Sequence, residues 1–414
     1  SWPEQPAIVR APATSANLGP GFDALGLALS LHDVVEARVT GGGLDIEVAG
    51  EGAGSVGDGE RHLVARALRA GFDALGGQPP GIGLRCQNAI PHGRGLGSSA
   101  AAIVSGLLAA RALLRDGPDR LPGPELFRLA ADLEGHPDNV AACLAGGLTI
   151  AWSPGPGAPP GPGERPRPGP PSGPRMLRLP VAAGLAPVVC VAPGWLATEA
   201  ARRALPATVP HPDAVANAAR SALLVAALSA APPDPAEPTP GAAAAPGGAG
   251  PSGSGAIGVR GVPGEHRPRD DTVSPGASAD PAVLFDATED YLHQRYRAAV
   301  MPETADLLGR LRDARLPAVL SGAGPSVLVL MTADPQAGHG LVDSIARETG
   351  IAWRVTPLEI DRHGAAAQSP WLGADSPASS WRMHPEGREQ HPGTSPAETS
   401  PHDNAASAVT RGRP

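Results

Sequence analysis

The chain has 414 residues, a net charge of −8, and 33 basic residues, every one an arginine. Its 50 prolines and 54 glycines exceed ordinary usage, so part of it cannot build a packed core. The acidic balance without a basic cluster argues against nucleic acid or an anionic membrane as the main partner, and the lack of lysine excludes a lysine phosphate ligand or base.

In chain order, residues 7–10 and 33–39 read as strands. "LDIEV" (44–48) follows a triple-glycine turn, so 33–48 is expected to be a hairpin. A helix is expected at 62–75, with Leu63, Ala67, Leu68, Phe72 and Leu75 at helical spacing. "IGLRC" (82–86) is a short strand. A second helix runs from Ser98 to about Leu114, a third from Glu125 to Leu133, and "AGGLTIAW" (145–152) returns to strand. Residues 153–174 are nearly all proline and glycine and cannot offset their ordering entropy. "MLRLPV" and "APVVCVAP" (186–193) are strands, followed by helices at Thr198–Leu205 and Pro212–Leu228. A second low-complexity stretch covers about 231–280. "PAVLFDATEDYLHQRY" and "ETADLLGRLRDA" read as helices, and "LPAVLSGAGPSVLVLMT" as strand, glycine turn, strand. From about 362 the chain is polar and expected to be disordered. Strands and helices without regular alternation suggest an α+β fold in two lobes.

Cys86, Cys143 and Cys190 lie far apart in apolar contexts and fit no metal spacing. They read as small buried hydrophobes in a reducing cytosol. "SWPEQPAIVR" lacks the pattern of a secretory signal, and no apolar run reaches the ~20 residues of a membrane span. A soluble, cytoplasmic protein is expected.

Four segments carry chemistry. In "PHGRGLGSSAAA" (91–102), three spaced glycines let backbone N–H groups approach an anion at the mouth of a helix. The run is a phosphate cradle or a plain strand-to-helix loop. In "PATSANLGPGFDALGLAL" (12–29), Asn17 and Asp23 are turn and cap residues or ligand contacts. "EGHPDNVA" (134–141) places two carboxylates, an imidazole and an amide within six residues. It is either functional or a helix end followed by a new helix. "SGAGPS" (321–326) is a tight turn, either an ordinary hairpin or part of the site.

Together and in this order, the four segments resemble the GHMP kinase superfamily, and within it the homoserine kinase family. "TEAARRALP", "DAVANAARSALLVAAL" and "EDYLHQRYRAAVMPE" add to the resemblance, which covers about 1–152, 176–229 and 282–360. It implies a two-lobe α+β fold. The N-terminal lobe (1–152) would resemble ribosomal protein S5 domain 2, and the C-terminal lobe (176–361) would be ferredoxin-like. A linker at 153–175, an insert at about 231–280 and a tail at 362–414 lie outside that core and are expected to be disordered.

The resemblance further implies transfer of the ATP γ-phosphoryl to L-homoserine, with Mg2+, in a homodimer. By position, Pro91, His92, Gly93, Arg94, Gly95, Leu96, Gly97, Ser98, Ser99, Ala100 and Ala101 would form the phosphate loop. Ser99, with Ser98 beside it, and Glu134 would hold Mg2+. Asn17, Asp23, His136 and Asn139 would line the amino-acid pocket. Arg202 and Arg297 would grip the substrate carboxylate, with Thr198 nearby. No dedicated base is implied: Asn139 would orient the hydroxyl, and Asp138 is either a base or a cap for the following helix. The alternatives are a kinase for another small alcohol, such as mevalonate or a sugar, and a non-catalytic binding protein of the same fold.

Overall fold

The computed structural model describes residues 2–57, 59–153, 173–229, 280–332, 335–371 and 379–380. The low-complexity segment at 154–172, the insert at 230–279 and the tail beyond 380 lie outside the described residues.

The first sheet is built on β1 (Ala7–Ala16) and β2 (Leu25–Thr40), a long antiparallel pair. Its register shifts between Pro12 and Ala13, beside the residue that has no N–H to give the ladder. The expected hairpin over 33–48 does not form. β3 (Gly43–Gly50) pairs in parallel with β4 (Gly81–Asn88), and β4 lies between β2 and β3. Charge accounts for part of this order. Arg85 of β4 is 2.9 Å from Glu47 of β3 and 3.7 Å from Glu36 of β2, so a cationic strand separates two acidic ones. The crossover from β3 to β4 runs through α1 (Leu63–Ala74), whose apolar face, including Leu68 and Phe72, is buried.

α2 (Ser98–Ala112) is buried almost all round, as expected of a helix in the middle of a lobe. It crosses α1 closely: a Cβ at Gly106 would stand 2.5 Å from the carbonyl oxygen of Val64. α3 (Gly117–Arg120), α4 (Gly123–Glu134) and α5 (Asp138–Ala145) follow, and β5 (Leu148–Trp152) pairs with β2. β6 (Arg175–Leu179) extends the same sheet beside β5.

The second sheet holds β7 (Ala186–Val191), β8 (Ala318–Leu320), β9 (Val327–Met331) and β10 (Arg354–Pro357) in the order β10-β7-β9-β8, all antiparallel. α10 (Pro302–Asp313) and α11 (Pro335–Glu348) complete a β-α-β-β-α-β path, the ferredoxin-like arrangement the resemblance implied. Its core includes Val188, Leu307, Leu311, Val329 and Val342. Between β7 and α10 the chain adds α6 (Thr198–Arg203), α7 (His211–Leu228), α8 (Pro281–Ala287) and α9 (Gln294–Arg297).

Two further differences from the sequence reading matter. The helix expected across "PAVLFDATEDYLHQRY" is broken after Ala287, because the Asp290 carboxylate accepts the N–H groups of Leu292, His293 and Gln294 and starts the chain afresh. The polar tail expected from 362 begins with ordered chain: β11 (Ala366–Gln368) pairs with β1, and β12 (Ser379–Ser380) pairs with β11. The first sheet therefore takes in residues beyond the lobe boundaries expected at 152 and 361. Among the described residues no helix is long and apolar enough to cross a membrane.

Candidate active site

The segment between β4 and α2 is anchored before it turns. Asp33 Oδ1 accepts from the N–H groups of Ala89 (2.7 Å) and Ile90 (2.9 Å), and burial pushes its carboxyl pKa up. Gly93, Gly95 and Gly97 then adopt φ of 64°, 72° and 67°, a region that side chains rarely occupy. Space is short as well: a Cβ at Gly95 would lie 2.1 Å from Ser321 O, and one at Gly97 1.9 Å from Thr14 Oγ1. No side chain caps α2, so its first N–H groups remain available to an anion. Gly93, Gly95, Gly97, Ser98 and Ser99 line a cleft of about 310 Å³. Pro91, Leu96, Ala100 and Ala101 are buried behind it and frame the loop. Arg94 donates to the carbonyls of Pro193 and Gly194, tying the loop to the end of β7. His92 packs against Gly52, half-buried.

A side chain at Gly97 combines backbone strain of roughly 1–3 kcal/mol with a collision against Thr14. Gly97→Ala is expected to lower nucleotide affinity and kcat together by at least about tenfold. Isothermal titration with an ATP analogue, alongside steady-state kinetics, checks this; unchanged affinity would remove the loop from phosphate binding.

Glu134 ends α4 at the far side of the loop, and Ser99 Oγ donates to its Oε1 at 2.5 Å. Burial pushes the Glu134 carboxyl pKa up, partly offset by that hydrogen bond. A desolvated carboxylate beside a hydroxyl is a hard oxygen pair lacking counter-charge, which fits a small divalent cation. Among the described residues no group of three or more His, Cys, Asp or Glu side chains gathers to hold a metal. One carboxylate plus substrate phosphates is how Mg2+ is usually held.

Gly135 closes α4 at φ 90°, and Asp138 opens α5, so "EGHPDNVA" is both a helix junction and a wall of the cleft. His136 Nδ1 lies 3.0 Å from Asp138 Oδ1, and that bond raises the imidazole pKa. The same oxygen accepts the Asn139 N–H at 2.8 Å. Thr14 Oγ1 donates to Asn139 Oδ1 at 2.8 Å, which fixes the amide with its NH2 as the free end.

The same cleft brings together every substrate-pocket residue expected from sequence, His136 and Asn139 among them. Asn17 is buried in the left-handed conformation, φ 68°. Its Nδ2 donates to Gly322 O and its Oδ1 accepts the Asp23 N–H, so it joins the first lobe to the β8–β9 turn. Asp23, expected to line the amino-acid pocket, and Arg202, expected on the substrate carboxylate, bind each other bidentately at 2.8 and 3.1 Å. Thr198 starts α6 at the rim. Arg297 is 1 % exposed, and no carboxylate lies within ion-pair distance among the described residues. It donates to Ala201 O and Gly322 O at 3.3 Å and lies over the Phe22 ring. Burial and then Arg202 press its pKa down to about 10.

The sequence reading did not single out Trp195, which lines the cleft with 73 % of its surface exposed, nor His293, which is buried against Arg297. The glycine turn at 321–326 proves to be both hairpin and cleft wall through Gly322, Ala323 and Gly324.

A glycine loop at a bare helix start, an acid–hydroxyl pair and two arginines over one cleft define an ATP-dependent phosphotransferase of the GHMP class, acting on an alcohol. Residues 62–147 match the model of the GHMP kinases N terminal domain. The homoserine kinase of Streptomyces avermitilis is 44% identical over 358 residues, 86% of this chain and 94% of that protein. That of Leifsonia xyli subsp. xyli is 41% identical over 86% of this chain and 90% of its own length. The crystal structure of homoserine kinase from Cytophaga hutchinsonii shares the fold, with a TM-score of 0.64 at 24% identity over 88% of this chain and 98% of that one. The chain belongs to the homoserine kinase family.

Proposed function

We propose that the chain transfers the γ-phosphoryl of ATP to the side-chain hydroxyl of L-homoserine, giving ADP and O-phospho-L-homoserine for threonine biosynthesis. The observation that carries this reading is the buried, carboxylate-free Arg297 beside the Asp23–Arg202 pair, on the same cleft as the glycine loop. A zwitterion can exchange that pair for two pairs of its own: its ammonium to Asp23, its carboxylate to Arg202 and Arg297. A neutral sugar offers nothing to either side, and mevalonate has no cation for Asp23.

In this reading the backbone N–H groups of residues 93–99 hold the triphosphate. Asn139, with its Oδ1 held by Thr14, presents its NH2 to the acceptor hydroxyl. Asp138 Oδ1 already accepts two donors, His136 and the Asn139 N–H, so it serves as a brace for the pocket. No strong base is needed, because the transition state is loose and positioning with charge neutralisation does most of the work. Ser99 and Glu134 would hold Mg2+, which when bound neutralises charge on the β- and γ-phosphates. A homodimer in the cytoplasm is part of the same reading.

Coupled-assay ADP release with MgATP, compared across L-homoserine, L-serine, mevalonate and galactose, tests it. Turnover of L-homoserine well above the other three is expected. Activity on one of the others without activity on L-homoserine overturns the assignment.

A further inference from the structure

His293 is fully buried beside the cleft and has no part in the roles above. Its Nδ1 lies 3.1 Å from Arg297 Nη1, and its Nε2 lies 2.9 Å from Gly19 O. A guanidinium nitrogen only donates and a carbonyl only accepts, so the ring is neutral with its proton on Nε2. Arg297 Nε and Nη1 are held by Ala201 O, Gly322 O and this imidazole. Nη2 has no protein partner among the described residues. The other end of His293 grips Gly19, in the loop that carries Asn17 and Asp23, and Phe22 stacks on the ring at 5.1 Å.

We propose that His293 is a positioning residue for substrate: as a neutral imidazole it holds Arg297 at Nη1, leaving Nη2 for the substrate carboxylate, and it locks the Asp23 loop to that arginine. The inference rests on the reading of the cleft as an amino-acid site. One ring thus sets the spacing between the group that takes the carboxylate and the group that takes the ammonium. The pattern in sequence is a histidine four residues before an arginine, which places both on one side of the turn ending in α9.

The charges facing the ring are Asp290 from its own segment, Arg297 from α9 and Asp23 from the β1–β2 loop, with Arg202 of α6 acting on Arg297. Asp290 lies 3.6 Å from Nε2, but its oxygens already receive three backbone N–H groups. Burial first, and Arg297 as well, lower the pKa of the imidazole, against the pull of Asp290. The neutral form, and with it the grip on the carboxylate, is present at neutral pH and lost as pH falls through that lowered value. Protonation would set N–H against N–H and put a second cation beside Arg297.

Two variants separate this role from a merely structural one. Asparagine can place Oδ1 where Nδ1 stands, keeping the acceptor for Arg297, whereas glutamine keeps a donor for Gly19 and loses that acceptor. His293→Gln is expected to raise KM for L-homoserine about tenfold or more, the loss of one hydrogen bond to a charged group. KM for MgATP should stay where it was, and His293→Asn, which restores the acceptor for Arg297 but not the tie to Gly19, should recover part of the loss. The wild-type rise of KM for L-homoserine at acid pH should flatten in His293→Asn. Equal KM values in wild type and His293→Gln, or MgATP and L-homoserine KM rising together in both variants, would overturn the proposal. A direct reading uses two-bond 15N–1H correlation spectra of the histidine-labelled full chain, with His293 identified by its absence in His293→Asn. A neutral Nε2–H tautomer at pH 7 supports the proposal, and an Nδ1–H tautomer or a charged ring overturns it. A wild-type chain inactive on L-homoserine would refute the substrate reading, and the spectrum would still judge the imidazole.

Discussion

Glu134→Gln is expected to lower kcat by about 10²–10³-fold, because a weaker hold on Mg2+ withdraws electrostatic stabilisation of the charge developing on the phosphates, an effect of that scale. The substitution keeps size and shape. An amide oxygen can still accept from Ser99 Oγ, so the 2.5 Å contact that orients the serine need not be lost. What disappears is the negative charge facing the cleft. The requirement for Mg2+ should therefore rise together with the fall in kcat, while KM for L-homoserine, set chiefly by Asp23, Arg202 and Arg297, changes little. Stability should move the other way. A buried carboxylate whose pKa is raised by desolvation is held at a cost in the free protein, so a neutral isostere should leave Tm unchanged or higher. Activity at graded Mg2+, read alongside a thermal melt, separates the two effects. Unaltered kcat and Mg2+ dependence would remove Glu134 from the site.

What could be read from sequence follows the range of the interactions involved. The glycine loop and α2 were legible because their signals are contiguous: alternate glycines, two serines, then an apolar run long enough to be buried on every side. The β8–β9 hairpin was legible for the same reason. β3 was misplaced because alternation identifies a strand and says nothing of its partner. That partner, β4, is reached only after a helix, and Arg85 helps choose it through contacts with two other strands. The break before α9 depended on one carboxylate taking three N–H groups, where the residue pattern alone favours a continuous helix.

The site shows the same limit. Its substrate-pocket residues were proposed from family likeness, and one cleft gathers them. Their mutual contacts could not be read, because they join positions far apart in the chain: Asp23 meets Arg202 across 179 positions, and Asn17 meets Gly322 across 305. Asn17 illustrates the outcome. Its left-handed backbone shapes the loop, as the turn-residue reading expected, while its amide ties the first lobe to the β8–β9 turn beside the cleft.

Arg297→Ala is expected to leave kcat within a few-fold while KM for L-homoserine rises roughly 30- to 3,000-fold. That range follows from about 2–5 kcal/mol for removing one side of a buried charge pair, at 1.4 kcal/mol per tenfold. The argument begins with what the guanidinium lacks. It is enclosed, its pKa is pressed down to about 10 by burial and by Arg202, and only neutral groups hold it. Such a cation disfavours the free protein and favours the complex, because the ligand supplies the missing anion. Arg297→Met, which fills much of the same space without charge, should therefore melt at the same temperature as wild type or higher while losing substrate affinity as severely as the alanine variant. Arg297→Lys should recover little, since an ammonium cannot reach Ala201, Gly322 and the ring of His293 with a planar fork. Because the nucleotide is held on the other wall, KM for MgATP should stay constant through the series. A methionine variant that kept its affinity for L-homoserine would show that the carboxylate is bound elsewhere, and Arg202 would then be the arginine to replace next.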